Sequence, residues 1–250
     1  MNRLLAPFLA PFLALWLAAC GATPAFETGT IPPRHVLTPE EIKVGYPIEV
    51  WDPWEGFNRG VYKFNALFDE YVFLPVVDAY EFVTPVFMQQ RVSNFFSNLS
   101  ELRNGSNGLM QLRPDVAGRA TIRFAVNSTV GVLGLFDVAG SLGTAQQSED
   151  FGQTLGWYGT PPGPFMMLPV LGPSNVRDTS GLVVDTAIAN MVPPISTITE
   201  RVYFNPAVYL VYAVDQRHLN RFRYYGTGSP FEYDLIRFLY TKKREAEIRR

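Results

Sequence analysis

Apolar residues recur at helical spacing through most of the chain beyond residue 51, and this pattern predicts a mainly α-helical protein. The first helix is expected to begin at Asp52-Pro53-Trp54-Glu55, with Asp as N-cap, Pro in the first turn and Glu three residues after the cap. Leu74-Pro75 is expected to end or kink this helix, because proline lacks an amide hydrogen. Its apolar face carries Phe57, Val61, Phe64, Phe68 and Val72.

Further helices are predicted by the same spacing together with start signals. The predicted spans and starts are 76–83, Thr84-Pro85, Asp115 as a cap, 181–191, Asn205-Pro206 with an end near Phe222, and the capping box Ser229-Pro230-Phe231-Glu232. We find no repeat of fixed period and no long series of alternating strands. The fold class is therefore mainly α.

The stretch 152–176 differs from the rest of the chain because it has no charged residue over 25 positions. It contains five glycines and five prolines, which argue against a continuous helix. Open backbone is not tolerated in hydrocarbon. The segment is therefore expected to be buried in protein, to line a cavity or to lie at a lipid surface.

The N-terminus has the layout of a secretory signal, with a positive start, an apolar run and small residues before the single cysteine. Leu17-Ala18-Ala19-Cys20 resembles a bacterial lipobox, which implies removal of residues 1–19 and acylation of Cys20 with fatty acids such as palmitate. Gly21, rather than Asp, favours delivery to the outer membrane by the same resemblance. Residues 20–50 are predicted to form a lipidated tether. The alternative is an ordinary secretory peptide.

Composition excludes several classes of protein. The net charge of −2 excludes a broadly basic nucleic-acid binder. One cysteine excludes an intramolecular disulfide, and two histidines make a multi-histidine zinc site improbable, so no metal or cofactor is expected. Charged residues are 18% of the chain, against about 25% in an average domain, and 47% are hydrophobic.

Catalytic signatures are weak, and we expect no enzyme. A hydrolase elbow needs Gly-x-Ser-x-Gly, but the segments around Ser106 and Ser141 begin with Asn and Ala. His218 lies in a polar helical stretch, and no phosphate-binding glycine loop occurs. A phospholipase using Ser106 or Ser141 is a remote alternative. Arg177-Asp178 reads best as a structural ion pair or cap, with a phosphate headgroup contact at Arg177 as the alternative.

Several stretches together resemble the MlaA (VacJ) family of outer-membrane phospholipid-transport lipoproteins. The resemblance covers roughly residues 50–190, with a looser fit to the end. The matching stretches are Asp52-Pro53-Trp54-Glu55-Gly56-Phe57-Asn58-Arg59, Tyr62 with Phe64-Asn65, Val92-Ser93-Asn94-Phe95 with Asn98-Leu99, Arg123-Phe124, Asn127-Ser128-Thr129-Val130-Gly131, Phe136-Asp137-Val138-Ala139, 150–159, Gly163-Pro164-Phe165, Leu168-Pro169, Gly172-Pro173-Ser174 and Arg177-Asp178.

The resemblance implies a compact single-domain ring of helices over residues 51–250, lying in the periplasm-facing inner leaflet of the Gram-negative outer membrane. Family members sit beside trimeric porins and lack enzymatic activity. They are taken to remove misplaced phospholipids from the outer leaflet and to pass them through a central conduit to a periplasmic carrier, MlaC. That transport maintains lipid asymmetry. The alternative is a structural lipoprotein that scaffolds a porin and transports nothing.

By position in the family, the loop 156–171 corresponds to the border of the conduit. Methionines adapt to varied partners, aromatic residues with polar tips suit an interface, and glycines allow bends. The lipid-conduit candidates are Gly156, Trp157, Tyr158, Gly159, Gly163, Phe165, Met166, Met167 and Leu168. Structural roles as caps or buried amides are expected for Asn58, Asn65, Asn94 and Asn127. The basic C-terminal tract either contacts an acidic surface or is a solvated helix end.

Overall fold

The computed structural model describes residues 50–191 and 206–250, and within them the mainly α prediction is confirmed. Residues 1–19, Cys20 and the tether up to residue 49 lie outside the described residues. The helices are α1 Glu55–Phe68, α2 Leu74–Val83, α3 Val86–Met110, α4 Pro114–Thr129, α5 Val138–Ser141, α6 Phe151–Trp157, α7 Val176–Met191, α8 Pro206–Leu219 and α9 Glu232–Ile248. A π-helical turn, Asp69–Phe73, joins α1 to α2.

Several predicted helix starts are wrong in detail. Helix α4 begins at Pro114 after Arg113, so Asp115 is not its cap, and α7 begins at Val176 rather than at residue 181. The two remaining cases have a tertiary cause. Helix α1 begins at Glu55, and Asp52 is not its cap. The fully buried Asp52 carboxylate instead accepts hydrogen bonds from Asn58 Nδ2 at 2.7 Å and from the Tyr233 hydroxyl at 2.5 Å. Helix α9 begins at Glu232, whose carboxylate accepts from Tyr62 and from the loop before the helix. In both cases a tertiary partner replaces the local cap.

The chain does not end its first helix at Leu74-Pro75. The π-helical turn carries the helix into α2, where Pro75 lies in the first turn. A proline is tolerated there because that amide has no partner inside the helix. The predicted starts near Pro85 and Pro206 are confirmed, since α3 begins at Val86 and α8 at Pro206.

Strands β1 (Phe165–Leu168) and β2 (Gly172–Asn175) form an antiparallel hairpin inside the uncharged segment, which the sequence did not predict. Two asparagines of α1 pair with its outer edge. Asn58 donates to the Phe165 carbonyl at 3.1 Å and accepts from the Met167 amide at 2.9 Å. Asn65 does the same with the Leu168 carbonyl and the Val170 amide, at 2.9 and 2.7 Å.

Asn58 and Asn65 are seven residues apart and so lie on one face of α1. Their amides take the place of a third strand, which lets a two-stranded hairpin be buried without orphaned backbone groups. The expectation that these residues are buried hydrogen-bonded amides is confirmed. The hairpin also supplies Phe165 and Met167 to a small core with Val61, Tyr62 and Tyr233.

Close helix contacts depend on glycine. A Cβ atom on Gly108 of α3 would lie 2.8 Å from the Ala117 amide nitrogen of α4. Gly152 of α6 and Gly181 of α7 face each other, and a Cβ on Gly181 would collide with the Gly152 backbone. These contacts hold α3 against α4 and α6 against α7.

The interior is rich in polar groups, while many large apolar side chains face outward. Glu101, Asn104 and Arg123 are almost fully buried. By contrast, Phe82 is 92% exposed and Leu133 is 70% exposed. Exposed apolar patches of this kind mark binding surfaces or contact with lipid.

No single helix in 50–191 or 206–250 is long and apolar enough to cross a membrane. The two stretches Glu55–Val83 and Val86–Met110 meet the length and composition criteria only as a pair, and they are bent by 120° at the break between them.

Candidate functional site

A cavity of about 800 Å³ is walled by α3, α7 and α8, with the loop before α6 and the hairpin tip at its border. Its volume lies within the usual range of ligand sites, about 300–1,000 Å³. The lining is divided in character. Polar side chains come mainly from α3, as Ser93, Ser97, Ser100, Arg103 and Ser106. Apolar side chains come from all three helices, as Phe96, Leu99, Leu102, Ile188, Tyr209 and Leu219.

The spacing of residues along α3 produces this division. Residues 93, 97 and 100 lie three or four positions apart and form one stripe, while 96, 99 and 102 form the adjoining stripe. The serine hydroxyls are largely satisfied within the fold. Ser100 donates to the Ser97 carbonyl at 2.7 Å, and Ser97 donates to Gln146 at 2.9 Å. The stripe therefore offers polar surface without needing a ligand.

Asp185 of α7 and Arg103 of α3 bring opposite charges to the cavity lining. Burial raises the pKa of Asp185, although hydrogen bonds from the Phe151 amide and from Asn107 Nδ2, both at 2.9 Å, oppose that shift. The Arg103 guanidinium is exposed, and its charge also favours ionised Asp185.

Asp215 of α8 lies just behind the cavity wall. The residue has no exposed surface, and Ser93 of the lining donates to it at 2.5 Å. Its second carboxylate oxygen, Oδ2, is buried and has no hydrogen-bond partner in the part of the chain that the structure describes. Burial raises the pKa of Asp215, and the Ser93 hydrogen bond only partly offsets this.

Two buried ion networks support the helices that wall the cavity. Arg123 of α4 pairs with Glu101 of α3 at 2.5 Å. Arg244 of α9 binds both carboxylate oxygens of Asp150 at 2.7 Å and Asp178 at 2.9 Å. Burial opposes ionisation of Asp150 and Asp178, but the hydrogen bonds and charge of Arg244 outweigh it, so the pKa of both is lowered.

None of the nine lipid-conduit candidates belongs to the described lining of the cavity, where Leu171 alone represents the stretch 156–171. Phe165 and Met167 are each 1% exposed and belong to the core. Met166 and Leu168 are half-buried on the other face of β1, and Trp157 and Tyr158 are exposed. Gly156 is packed against Ile248 of α9, while Gly159 and Gly163 have positive φ. The structure does not test lipid contact at these positions, and the cavity lining offers a competing path for the lipid.

Arg177, the headgroup candidate, is buried and paired with Asp178, with its Nε 2.9 Å from the carboxylate. Asp178 is also bound by Tyr240 and Arg244 of α9. The interpretation as a structural ion pair is confirmed, and a headgroup role for Arg177 stays a prediction. Of the basic C-terminal tract, Arg244 belongs to this network, and Lys242 pairs with Glu245 at the surface.

The remote catalytic alternatives find little support in the described part of the chain. The Ser106 hydroxyl donates to the Arg103 carbonyl and the Ser141 hydroxyl to the Asp137 carbonyl. His218 Nδ1 lies 2.6 Å from Glu81 and bonds to neither serine. No group of three or more His, Cys, Asp or Glu side chains is arranged to hold a metal within those residues.

The sequence did not predict the cavity, because its walls come from three helices that lie far apart along the chain. One signal for it is readable in the sequence. Serines at 93, 97, 100 and 106 run beside apolar residues at 96, 99 and 102, which is unusual for a core helix.

Comparisons with known proteins give one consistent result. A family model described as MlaA lipoprotein matches residues 50–247. An uncharacterized protein of Rickettsia felis is 34% identical over 203 residues, covering 80% of this chain and 79% of that protein. The intermembrane phospholipid transport system lipoprotein MlaA of Escherichia coli is 37% identical over 138 residues, covering 54% of this chain and 55% of that protein.

A solved structure from work on the structural basis for maintenance of bacterial outer membrane lipid asymmetry has a similar fold. Its TM-score is 0.65 and its sequence identity is 28%, and the match covers 80% of this chain and 100% of that one. The likeness in fold therefore extends over the whole of the solved chain.

Proposed function

The chain belongs to the MlaA lipoprotein family, and we propose that it is an outer-membrane lipoprotein of intermembrane phospholipid transport. In this proposal it removes misplaced phospholipids from the outer leaflet and passes them to a periplasmic carrier of the MlaC kind. Its work maintains lipid asymmetry. The names of the curated relatives support the general role, and the cavity supports the finer one.

The observation that carries the proposal is the divided lining of the cavity. A phospholipid in transit needs apolar contact for its acyl chains and polar contact for its headgroup. The apolar and serine stripes of α3 provide both surfaces side by side within one cavity. We therefore propose that the cavity walled by α3, α7 and α8 is the central conduit through which the phospholipid passes.

The exposed apolar side chains support a place within the hydrocarbon of one leaflet. Phe57, Phe82 and Phe87 are each more than half exposed, which is costly in water and favourable in lipid. Acylated Cys20 would hold the protein at the inner leaflet through the tether, next to a trimeric porin. Two or more acyl chains suffice for stable attachment, where a single chain gives only reversible binding.

The proposed mechanism is partitioning and has no chemical step. Lipid enters the cavity from the membrane side, is held by weak apolar and polar contacts, and leaves toward the periplasm. No catalytic residue, metal or cofactor takes part in this account. Binding must be weak enough to allow release, so a lining divided between polar and apolar residues suits transport better than a tight apolar pocket.

Filling the cavity tests this proposal. Ile188→Trp places a large ring on the cavity side of α7, and Val183→Trp places the same ring on an exposed position of that helix. We expect Ile188→Trp to raise the phospholipid exposed at the cell surface to the level of a deletion strain, while Val183→Trp leaves it normal. Both variants should still co-purify with a trimeric porin.

Normal surface phospholipid in a stably folded Ile188→Trp strain would contradict passage through the cavity. If this strain kept both porin association and normal surface phospholipid, the protein would act as a scaffold for the porin.

The anchor has its own test. We expect Cys20→Ala to release the protein from the membrane fraction and to abolish lipid transport. A variant that stays bound to membranes would instead assign the anchoring to the exposed apolar surface of the body.

A further inference from the structure

Among the described residues that line the cavity, Arg103 is the one arginine. Its guanidinium forms no ion pair and donates no hydrogen bond within the described residues. Several other arginines of the body are committed to carboxylates. Arg123 pairs with Glu101, and Arg217 pairs with Asp69. A guanidinium left unpaired in a cavity is suited to an incoming anion, and its planar fork matches the oxygens of a phosphate.

Asp185 is the carboxylate that lines the same cavity. Arg103 acts on it electrostatically, yet the two groups are not within the 4.0 Å of a salt bridge. The Asp185 oxygens accept one hydrogen bond each, from Asn107 and from the Phe151 amide. An ionised carboxylate has about four acceptor sites, so Asp185 keeps capacity to accept further hydrogen bonds.

We propose that Arg103 and Asp185 together receive a zwitterionic phosphoethanolamine headgroup, with the guanidinium on the phosphodiester and the carboxylate on the ammonium. This rests on the proposed function and names the lipid class that the cavity prefers. The two residues carry opposite charges, line one cavity and are not paired with each other, which complements a headgroup whose own opposite charges are held apart by two carbons. Leu99, Leu102 and Ile188 lie in the same lining and can contact the acyl chains.

In this proposal the Asp185 carboxylate is responsible for the preference for phosphoethanolamine over phosphoglycerol headgroups. A phosphoglycerol headgroup carries a net negative charge and no ammonium, so it would satisfy Arg103 while leaving Asp185 next to a like charge. Like charges in a site of reduced dielectric repel more strongly than in water. The ethanolamine headgroup removes that repulsion and adds a charge-assisted hydrogen bond.

The test uses the full lipidated chain, purified in detergent and exchanged with vesicles of phosphatidylethanolamine and phosphatidylglycerol in equal amounts. Lipid retained by the protein is measured by mass spectrometry. The wild-type protein should retain an excess of phosphatidylethanolamine. Arg103→Gln should reduce total retained phospholipid about tenfold, the loss expected for a hydrogen bond to a charged group. Arg119→Gln changes the same charge on an exposed position of α4 outside the described lining and should retain the wild-type amount.

Asp185→Asn should bring the ratio of the two retained lipids to that of the vesicles without reducing the total. Because Asp185 also accepts two structural hydrogen bonds, Asp185→Glu serves as a second variant that keeps the carboxylate and should keep the preference. Equal retention of both lipids by the wild-type protein, or wild-type retention by Arg103→Gln, would overturn this inference and leave phospholipid transport standing. Retention of no phospholipid by the wild-type protein would instead contradict the proposed function itself.

Discussion

Helix α3 and the uncharged stretch 152–176 are both poor in charge, yet their surroundings in the fold differ. The stretch 152–176 folds into a short helix and a hairpin whose backbone is held by Asn58 and Asn65 and whose flanks are fixed by Arg244. Helix α3 instead carries a serine stripe and an apolar stripe into an 800 Å³ cavity. The uncharged stretch is thus held in place by other segments, whereas the adjoining stripes of α3 line the cavity that we propose as the path of the lipid.

We therefore describe the hairpin region as a structural clamp and propose the α3 region as the lipid-binding surface. Changes to the clamp should therefore cost stability first, and changes to the cavity should cost lipid handling first.

The largest effect on stability is expected for Arg244→Gln, which leaves the partly buried Asp150 carboxylate without its cation and the buried Asp178 carboxylate with Arg177 alone. Breaking a buried ion pair from one side costs about 3–5 kcal/mol. We expect a loss of this size in the free energy of unfolding, measured by urea denaturation in detergent. Lys243→Gln, an exposed change on the same helix, is the control and should be close to neutral.

The pH dependence sharpens this prediction. Because the folded pKa of Asp150 and Asp178 is lowered, the stability that they contribute is complete above the unfolded value near 3.8 and is lost as the pH falls below it. The melting temperature of the wild-type protein should fall in acid below about pH 4, and that of Arg244→Gln should fall less. Equal acid sensitivity of the two proteins would contradict a stabilising role for this network.

A smaller loss is expected for Asn58→Ala, which leaves the Phe165 carbonyl and the Met167 amide at the hairpin edge without their partner. Leaving a buried polar group unsatisfied costs about 1–3 kcal/mol. We expect a loss of that size, measured by thermal unfolding, together with faster hydrogen exchange at the Met167 amide. Stability and exchange equal to the wild-type values would show that the hairpin does not depend on α1.

The smallest effect is expected for Asp215→Asn, behind the cavity wall. The folded pKa of Asp215 is raised, so the folded protein binds the proton more tightly, and stability falls as the pH rises through that folded value. Replacing the carboxyl by an amide should raise the melting temperature slightly at neutral pH and should change nothing near pH 3.8 or below. A variant that is less stable than the wild-type protein at pH 7 would show that ionised Asp215 has a stabilising partner.

The helical framework could be predicted from spacing because apolar periodicity and proline starts are local signals. Helix α3 begins one residue after Pro85, as the sequence indicates. The cap at Asp52 could not be predicted correctly, because its competing partner Tyr233 lies 181 residues away. The hairpin could not be predicted for the same reason, since the groups that complete its edge belong to α1.

The candidate site was predicted less well than the fold. The lack of charge in 152–176 predicts contact with protein, a cavity or lipid without deciding between them. The observed packing of this stretch is set by Asn58, Asn65 and Arg244, which lie elsewhere in the chain. The cavity needs α3, α7 and α8 to come together, and only the stripes of α3 are visible in the sequence. Family resemblance identified the kind of protein, and the tertiary structure was needed to locate a cavity.

The most direct test of the account is photocrosslinking to phospholipid in intact cells, with the same photoreactive amino acid placed in turn at cavity and hairpin positions. Ser97 and Ser100 represent the cavity lining, and Met166 and Leu168 represent the half-buried face of β1. We predict lipid adducts at Ser97 and Ser100 and none above background at Met166 and Leu168. Adducts at Met166 and Leu168, with none at the two serines, would contradict the cavity as the path of the lipid.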